Sequence, residues 1–305
     1  MKKDLLTIKD LTAKEIQELF NLTDNLKKNK AKFVKTLFGK TLALIFQKPS
    51  NRTRVSFEVG MFQLGGYSLY LAPNEINLGI RESIADVAKT LSRYIDGIVI
   101  RTFEHKNCLE LAKEATVPVI NGLSDFSHPC QALADLYTVK EKLKALKGLT
   151  LAYVGDGNNV CNSLLFICAK LGVNMNVGCP VGYEPSAAVF KDAKAAAEAG
   201  AAKINLFNDA SSAVKGADVV YTDVWASMGQ EDEAAKRKEA FKDFQVNQEL
   251  VKLAKPKALI MHCLPAHRGE EITADVLDSQ NAVVFDEAEN RMHVQKAVLI
   301  KLLGR

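Results

Sequence analysis

The chain reads as an α/β protein of two doubly wound, open parallel-sheet domains joined by bridging helices, and three observations carry that reading. Short β-rich apolar runs alternate with helix-like stretches from Lys40 onward, the rhythm restarts after Lys147-Gly148, and 305 residues suffice for two domains with sizeable cores. The first set of runs is TLALIF (41–46), GIVIR (97–101) and PVING (118–122). The second is LTLAYV (149–154), VNMNV (173–177), ADVVYTDV (217–224), KALIMHCL (257–264) and AVVF (282–285). Between the sets, residues 131–147 place Leu133, Leu136, Tyr137, Leu143 and Leu146 on an amphipathic bridging helix, so the boundary falls near Gly148. The expected division is 1–147, 148–290, and a closing helix 291–305 whose Val294, Val298 and Leu302 stripe packs back on the first domain.

Composition excludes several classes. A net charge of +4, spread along the chain, is no nucleic-acid footprint, and the densest basic cluster (Lys27, Lys28, Lys30, Lys32, Lys35) reads as a solvated helix face. No window approaches the twenty or so apolar residues of a membrane span, and the opening MKKDLLTIKDL has no signal-like apolar run, so a cytoplasmic protein is expected. The six cysteines form no CxxC pair and are expected as free thiols.

After the 41–46 run comes Gln47-Lys48-Pro49-Ser50-Asn51-Arg52-Thr53-Arg54, then a helical pattern reaching Leu64. This is strand, tight loop and capped helix. With Ser50 as N-cap, the first free N–H groups of the helix face the crevice at the carboxyl end of the strand, where anions bind. The helix-end field contributes only about 0.3–1 kcal/mol, whereas a guanidinium grips two phosphate oxygens at once. Arg52 is therefore the expected anchor, the alternative being an ordinary capped helix with solvated arginines. Arg101 ends the second strand, and His128-Pro129-Cys130-Gln131 opens a helix after a turn-rich stretch.

The second half carries polar groups at its strand ends. Gly155-Asp156-Gly157-Asn158-Asn159 follows a strand, but Val160 stands at the third-glycine position and no acid follows the next strand, which leaves the dinucleotide fingerprint incomplete and disfavours a nucleotide. Asp223-Val224-Trp225-Ala226-Ser227-Met228-Gly229 follows another strand, and residues 230–241 pair Asp232/Lys236 and Glu233/Arg237 at i,i+4, the mark of an exposed helix, either static or a lid. His262-Cys263-Leu264-Pro265 ends the 257–264 run. A zinc site from His262, Cys263 and His267 is disfavoured, because successive strand residues face opposite ways and no fourth ligand is evident.

The Ser50–Glu58 segment resembles the carbamoyl phosphate signature of the aspartate and ornithine carbamoyltransferases, with Asn51 where the family form has Thr. Similar likenesses run from Lys48 to Arg291 in family order, and they imply roles for individual residues. Ser50, Asn51, Arg52, Thr53, Arg101, His128, Gln131 and Arg291 would hold carbamoyl phosphate, with Arg101, His128 and Thr53 polarising its carbonyl. Asn77, where many members carry Gln, would also hold carbamoyl phosphate; it lies in a 77–83 loop resembling one that reaches a neighbouring subunit's site, which implies a homotrimer with shared sites. Asn159, Asp223, Ser227, Met228, Cys263 and Leu264 would hold the amino acid. The Ser-Met-Gly and His-Cys-Leu-Pro segments resemble those of the ornithine-using members, so the implied reaction carries the carbamoyl group to the δ-amine of L-ornithine, giving citrulline and phosphate. Arg52, Arg101, His128 and Cys263 are the implied catalytic set, with no metal and no organic cofactor. A related amine such as N-acetylornithine or putrescine, or a non-catalytic relative, is the alternative.

Overall fold

The computed structural model describes residues 3–226 and 231–304. The chain folds as two compact units, the first comprising residues up to Leu133 together with those from Glu289 onward, the second Ala134–Ala288. The divisions fall inside two helices, Pro129–Leu143 and Val284–Leu303.

The first unit holds β1 (Thr41–Phe46), β2 (Tyr67–Leu71), β3 (Gly97–Arg101) and β4 (Val119–Leu123) in the order β2-β1-β3-β4, all parallel. The second holds β5 (Thr150–Val154), β6 (Asn174–Gly178), β7 (Ile204–Phe207), β8 (Val219–Thr222) and β9 (Leu259–His262) in the order β7-β6-β5-β8-β9, also parallel. The fold class expected from the sequence is the one observed. Central strands such as β3 are buried along their whole length, as continuous apolar runs covered on both faces must be. Side chains such as Ile45, Ile98, Ile100 and Leu111 in one core, and Val154, Val220, Ile260 and Phe241 in the other, are each excluded from water, and each contributes roughly 1.5–3 kcal/mol of burial.

Four expectations need correction. The 282–285 run is no strand: Ala282 makes one bridge to Ile260, and Val284 opens the last helix, which thus begins before Arg291. The 131–147 helix is Pro129–Leu143, stopped at Lys144, which takes a left-handed φ of 61°. Strands β2 and β7 were not expected; both are sheet edges, and their exposed positions hide the apolar signal. Of the lysine cluster, four residues are exposed as expected, but Lys27 is half-buried and donates to Asn290 Oδ1 at 2.8 Å. Among the described residues no helix is long and apolar enough to cross a membrane.

Each sheet reverses its winding once. In the first unit β1 lies between β2 and β3, so the switch falls between β1 and β3; in the second it falls between β5 and β8. Crevices at the carboxyl ends of such strand pairs are where open α/β sheets bind ligands.

Candidate active site

At the β1/β3 switch, Phe46 is in register with Arg101, so the loop after β1 and the end of β3 emerge together. Ser50 caps the Asn51–Gln63 helix, its hydroxyl accepting from the Thr53 N–H at 3.2 Å. Thr53 is buried one turn in, and its hydroxyl oxygen accepts from Arg291 Nη2 at 2.7 Å and from Arg101 Nη1 at 3.4 Å. Residues far apart in sequence thus aim two guanidiniums at one atom. Arg101 and Arg291 are almost fully buried and Arg52 is half-buried. Buried cations are expensive, and an anion is what such a cluster is built to receive.

His128 lies among these arginines. Burial, and then the charges of Arg291, Arg101 and Arg52, hold its imidazole well below the ordinary histidine range. It is therefore neutral, with one N–H to donate and one nitrogen to accept. Gln131 is buried in the first turn of the Pro129–Leu143 helix that follows. Between them, Cys130 faces Asn121 O at 3.8 Å, and burial pushes its thiol up to about 12, so it is chemically quiet. Not every arginine of the motif joins the cluster: Arg54 stacks on Tyr70, 3.7 Å from the ring centroid, and pairs with Glu58 at 3.0 Å. Asn51 is exposed at the helix start, and Asn77 is exposed at the left-handed cap (φ 42°) of the Pro73–Ile76 helix.

At the β5/β8 switch, Val154 is in register with Thr222 and brings together the loops after both strands. Asn158 caps the Asn159–Leu171 helix, its Oδ1 accepting from the N–H groups of Val160 and Cys161, while its Nδ2 donates to Asp223 Oδ2 at 2.8 Å. Asp223 Oδ1 accepts from the Cys263 thiol at 2.9 Å. Burial, then the Asp223 charge and that hydrogen bond, push the Cys263 thiol well above its ordinary range. Cys263 is thus a neutral donor and no nucleophile. Asn158 was missed from the sequence in favour of Asn159, although its place immediately before the helix was a cap signal. Leu264 is half-buried beside Cys263, at a left-handed φ of 59°.

Gly157 owes nothing to a nucleotide. A Cβ there would lie 2.2 Å from Pro185 N and 2.4 Å from Glu184 C, so only glycine admits the neighbouring backbone. His262, Cys263 and Asp223 lie close enough for a metal ion, but the His262 ring is committed. Its Nε2 is 3.0 Å from Glu271 Oε1 and its Nδ1 accepts from the Leu264 N–H at 2.8 Å. His262 is a buried clamp on the loop that carries Cys263.

The expectation of an exposed helix over 230–241 is corrected at Arg237. Within the Ala234–Ala240 helix, Arg237 is buried, paired with Asp156 at 3.0 Å as well as with Glu233 at 3.1 Å, and it donates to Trp225 O at 2.9 Å. Burial nevertheless raises the Asp156 carboxyl to about 6. Ser227 and Met228, expected on the amino-acid site, lie outside the described residues.

Comparison with known proteins covers both units. Residues 3–141 match the family model for the carbamoyl-P binding domain of aspartate/ornithine carbamoyltransferase, and residues 147–302 match the model for its Asp/Orn binding domain. The chain is 56% identical, over 99% of its length and 96% of the relative's, to an ornithine carbamoyltransferase of Thermococcus kodakarensis. It is 55% identical to one of Methanothermobacter thermautotrophicus, over 99% of each chain. It superposes on the structure of the Pyrococcus furiosus ornithine carbamoyltransferase with a TM-score of 0.96 at 55% identity, covering 99% of this chain and 97% of the other.

Proposed function

The chain belongs to the aspartate/ornithine carbamoyltransferase family, and from that premise we propose that it transfers the carbamoyl group of carbamoyl phosphate to the δ-amine of L-ornithine, giving L-citrulline and phosphate. The observation that carries the choice of amine is the Asp223 carboxylate, held by Asn158 on one oxygen and by the neutral Cys263 thiol on the other. That group attracts an ammonium and then accepts hydrogen bonds from the amine. A substrate bearing a second carboxylate would be repelled there. Relatives named ornithine carbamoyltransferase at 53–56% identity support the same reading.

The proposed roles divide between the units. Arg52 and Arg101, with the helix start capped by Ser50, hold the phosphate; Arg101, His128 and Thr53 face the carbonyl oxygen; Gln131 accepts from the carbamoyl amide, and Arg291 meets the carbamoyl group as a donor. Donors aimed at the developing oxyanion are worth about 10²–10³ each in rate. Asn159, Ser227 and Met228 hold the α-amino and carboxylate groups of ornithine, and Leu264 lines the chain beside Cys263. The deprotonated δ-nitrogen attacks the carbonyl carbon, the bond from that carbon to the phosphate oxygen breaks, and phosphate leaves with the electron pair and takes up the amine proton. No strong protein base is needed. A free δ-amine resembles lysine, with a pKa near ~10.4, so the Asp223–Cys263 pair serves to orient the neutral amine.

The proposed assembly is a homotrimer whose 77–83 loop completes a neighbour's site. Val55, Val59 and Phe62 form an exposed i, i+4, i+7 stripe on the Asn51–Gln63 helix, Tyr67 and Leu69 are exposed on edge strand β2, and Ile80 at the loop tip is 88% exposed. So large an apolar surface calls for a partner, and Phe62→Glu should shift the particle to a smaller mass in light scattering. A cytoplasmic setting belongs to the same reading, in keeping with six free thiols.

The deciding experiment offers carbamoyl phosphate with ornithine, N-acetylornithine, putrescine or aspartate in turn, without added metal, and follows citrulline and phosphate. Selective turnover of ornithine is expected. Preference for another amine would overturn the argument from Asp223.

A further inference from the structure

Beneath the end of β9, in the second unit, lies a group of buried acids that the proposed reaction does not use. Asp135 on the Pro129–Leu143 helix and Glu287 on the Val284–Leu303 helix are both fully excluded from solvent, and one oxygen of each packs against the same Tyr221 hydroxyl. Two carboxylates offer only acceptors, so two of them buried around one hydroxyl need a further proton. The Tyr221 hydroxyl cannot serve both: it lies 3.2 Å from Asp135 Oδ2 and 3.4 Å from Glu287 Oε1, with one hydrogen to give. Glu287 Oε2 in turn accepts from the His262 backbone N–H at 3.1 Å. The next residue is Cys263, whose thiol reaches Asp223.

We propose that Asp135 and Glu287 share one proton, and that Glu287 is a positioning residue which, through the His262 N–H, sets the backbone from which Cys263 meets Asp223 and the substrate amine. The groups facing the pair are Tyr221 from β8, His262 from β9, Cys168 from the Asn159–Leu171 helix, and Cys263 with Asp223 at the strand ends. Burial and the Asp135 charge both raise Glu287 well above the ordinary carboxyl range. Like charges this close cannot both ionise, and a carboxylic acid kept neutral in this way is a fixed donor. The clamp on the Cys263 loop is therefore double: Glu271 grips the His262 ring, and Glu287 grips its backbone.

The inference rests on Cys263 facing the amine, so the test has a part that does not depend on activity. In an isotope-edited infrared difference spectrum at neutral pH, parent minus Glu287→Gln, the carbonyl stretch of a protonated carboxyl group should appear. In kinetics, Glu287→Gln, whose amide can still donate to Asp135 and accept from His262, should keep turnover close to the parent. Glu287→Ala should lower kcat with ornithine roughly 10–100-fold, the scale of a misplaced reacting group, with KM for carbamoyl phosphate unchanged. If Glu287→Ala fails to fold, the spectrum and Glu287→Gln still decide. No protonated-carboxyl band, or a Gln variant as impaired as the Ala variant, overturns the proposal. A parent protein that makes no citrulline sinks the functional reading instead and leaves the infrared result standing.

Discussion

Replacing Arg237 with Met should destabilise the second unit strongly at alkaline pH and much less in acid. The side chains of Arg237 and Asp156 are 8% and 11% exposed and 3.0 Å apart, so neither charge is relieved by water. Burial is the largest influence on Asp156 and raises its carboxyl from 3.8 to about 6 even with the guanidinium beside it. An acid whose folded pKa lies above its unfolded one weakens the fold as pH climbs from the lower value through the higher. For this shift the penalty is about 3 kcal/mol, complete above pH ~6 and absent below pH ~4. Arg237 lowers the carboxyl, so its removal lets the pKa rise further and adds to the penalty only where Asp156 is ionised. Removing one partner of a buried pair costs about 3–5 kcal/mol, and that is the loss expected at pH 8. At pH 5 protonated Asp156 no longer needs the cation, leaving the bond to Trp225 O, worth about 0.5–1.5 kcal/mol, and the pair with the exposed Glu233, worth about 0–1 kcal/mol. Trp225 is the only tryptophan and stacks on Phe241, so its fluorescence reports urea unfolding of this unit alone. An equal loss of stability at pH 5 and pH 8 would refute the reasoning.

Three further outcomes follow from the proposed roles. Arg52→Ala should remove most turnover while leaving the circular dichroism spectrum unchanged, because Arg52 is half-buried and packs no core; near-normal turnover would count against the anion site. Cys263→Ala should lower kcat/KM for ornithine by about 10–100-fold, the equivalent of losing a hydrogen bond to a charged group worth roughly 1.5–3 kcal/mol, whereas Cys263→Ser, which keeps a donor for Asp223, should recover much of it. His128 titrates well below its ordinary value of 6.5 in the fold, so the unfolded chain takes up the proton first and stability drops as pH falls below 6.5. His128→Gln should flatten that drop in acid unfolding curves, and an unchanged slope would show that His128 is not held neutral.

The fold class was legible because the central strands of both parallel sheets are buried on both faces and stand out as unbroken apolar runs. Edge strands β2 and β7 alternate or are short, and were not. The 282–285 run failed for the opposite reason: apolar enough for a strand, it begins a helix whose continuation carries Glu287 and Arg291. The Ser50 cap was legible because one loop supplies its geometry. Groups assembled from distant segments were invisible. Arg237 shows a solvent-facing i,i+4 pattern, yet its decisive partner is Asp156 on another loop. Asp135, Tyr221 and Glu287 come from two helices and a strand, and each taken alone is an ordinary polar residue.

The Thr53 hydroxyl, where Arg101 and Arg291 converge, has a thermodynamic consequence. The two guanidiniums are dehydrated when the chain folds, before any ligand arrives, so the empty protein carries a burden that the occupied one sheds. Oxyanion and folded state are then linked by mass action: a ligand at a hundred times its Kd adds about 2.7 kcal/mol to stability. In the proposed roles, phosphate, the leaving product, meets Arg101 as the substrate does. On that reading, resistance to heat and proteolysis should rise with added phosphate or carbamoyl phosphate, and be lowest with neither.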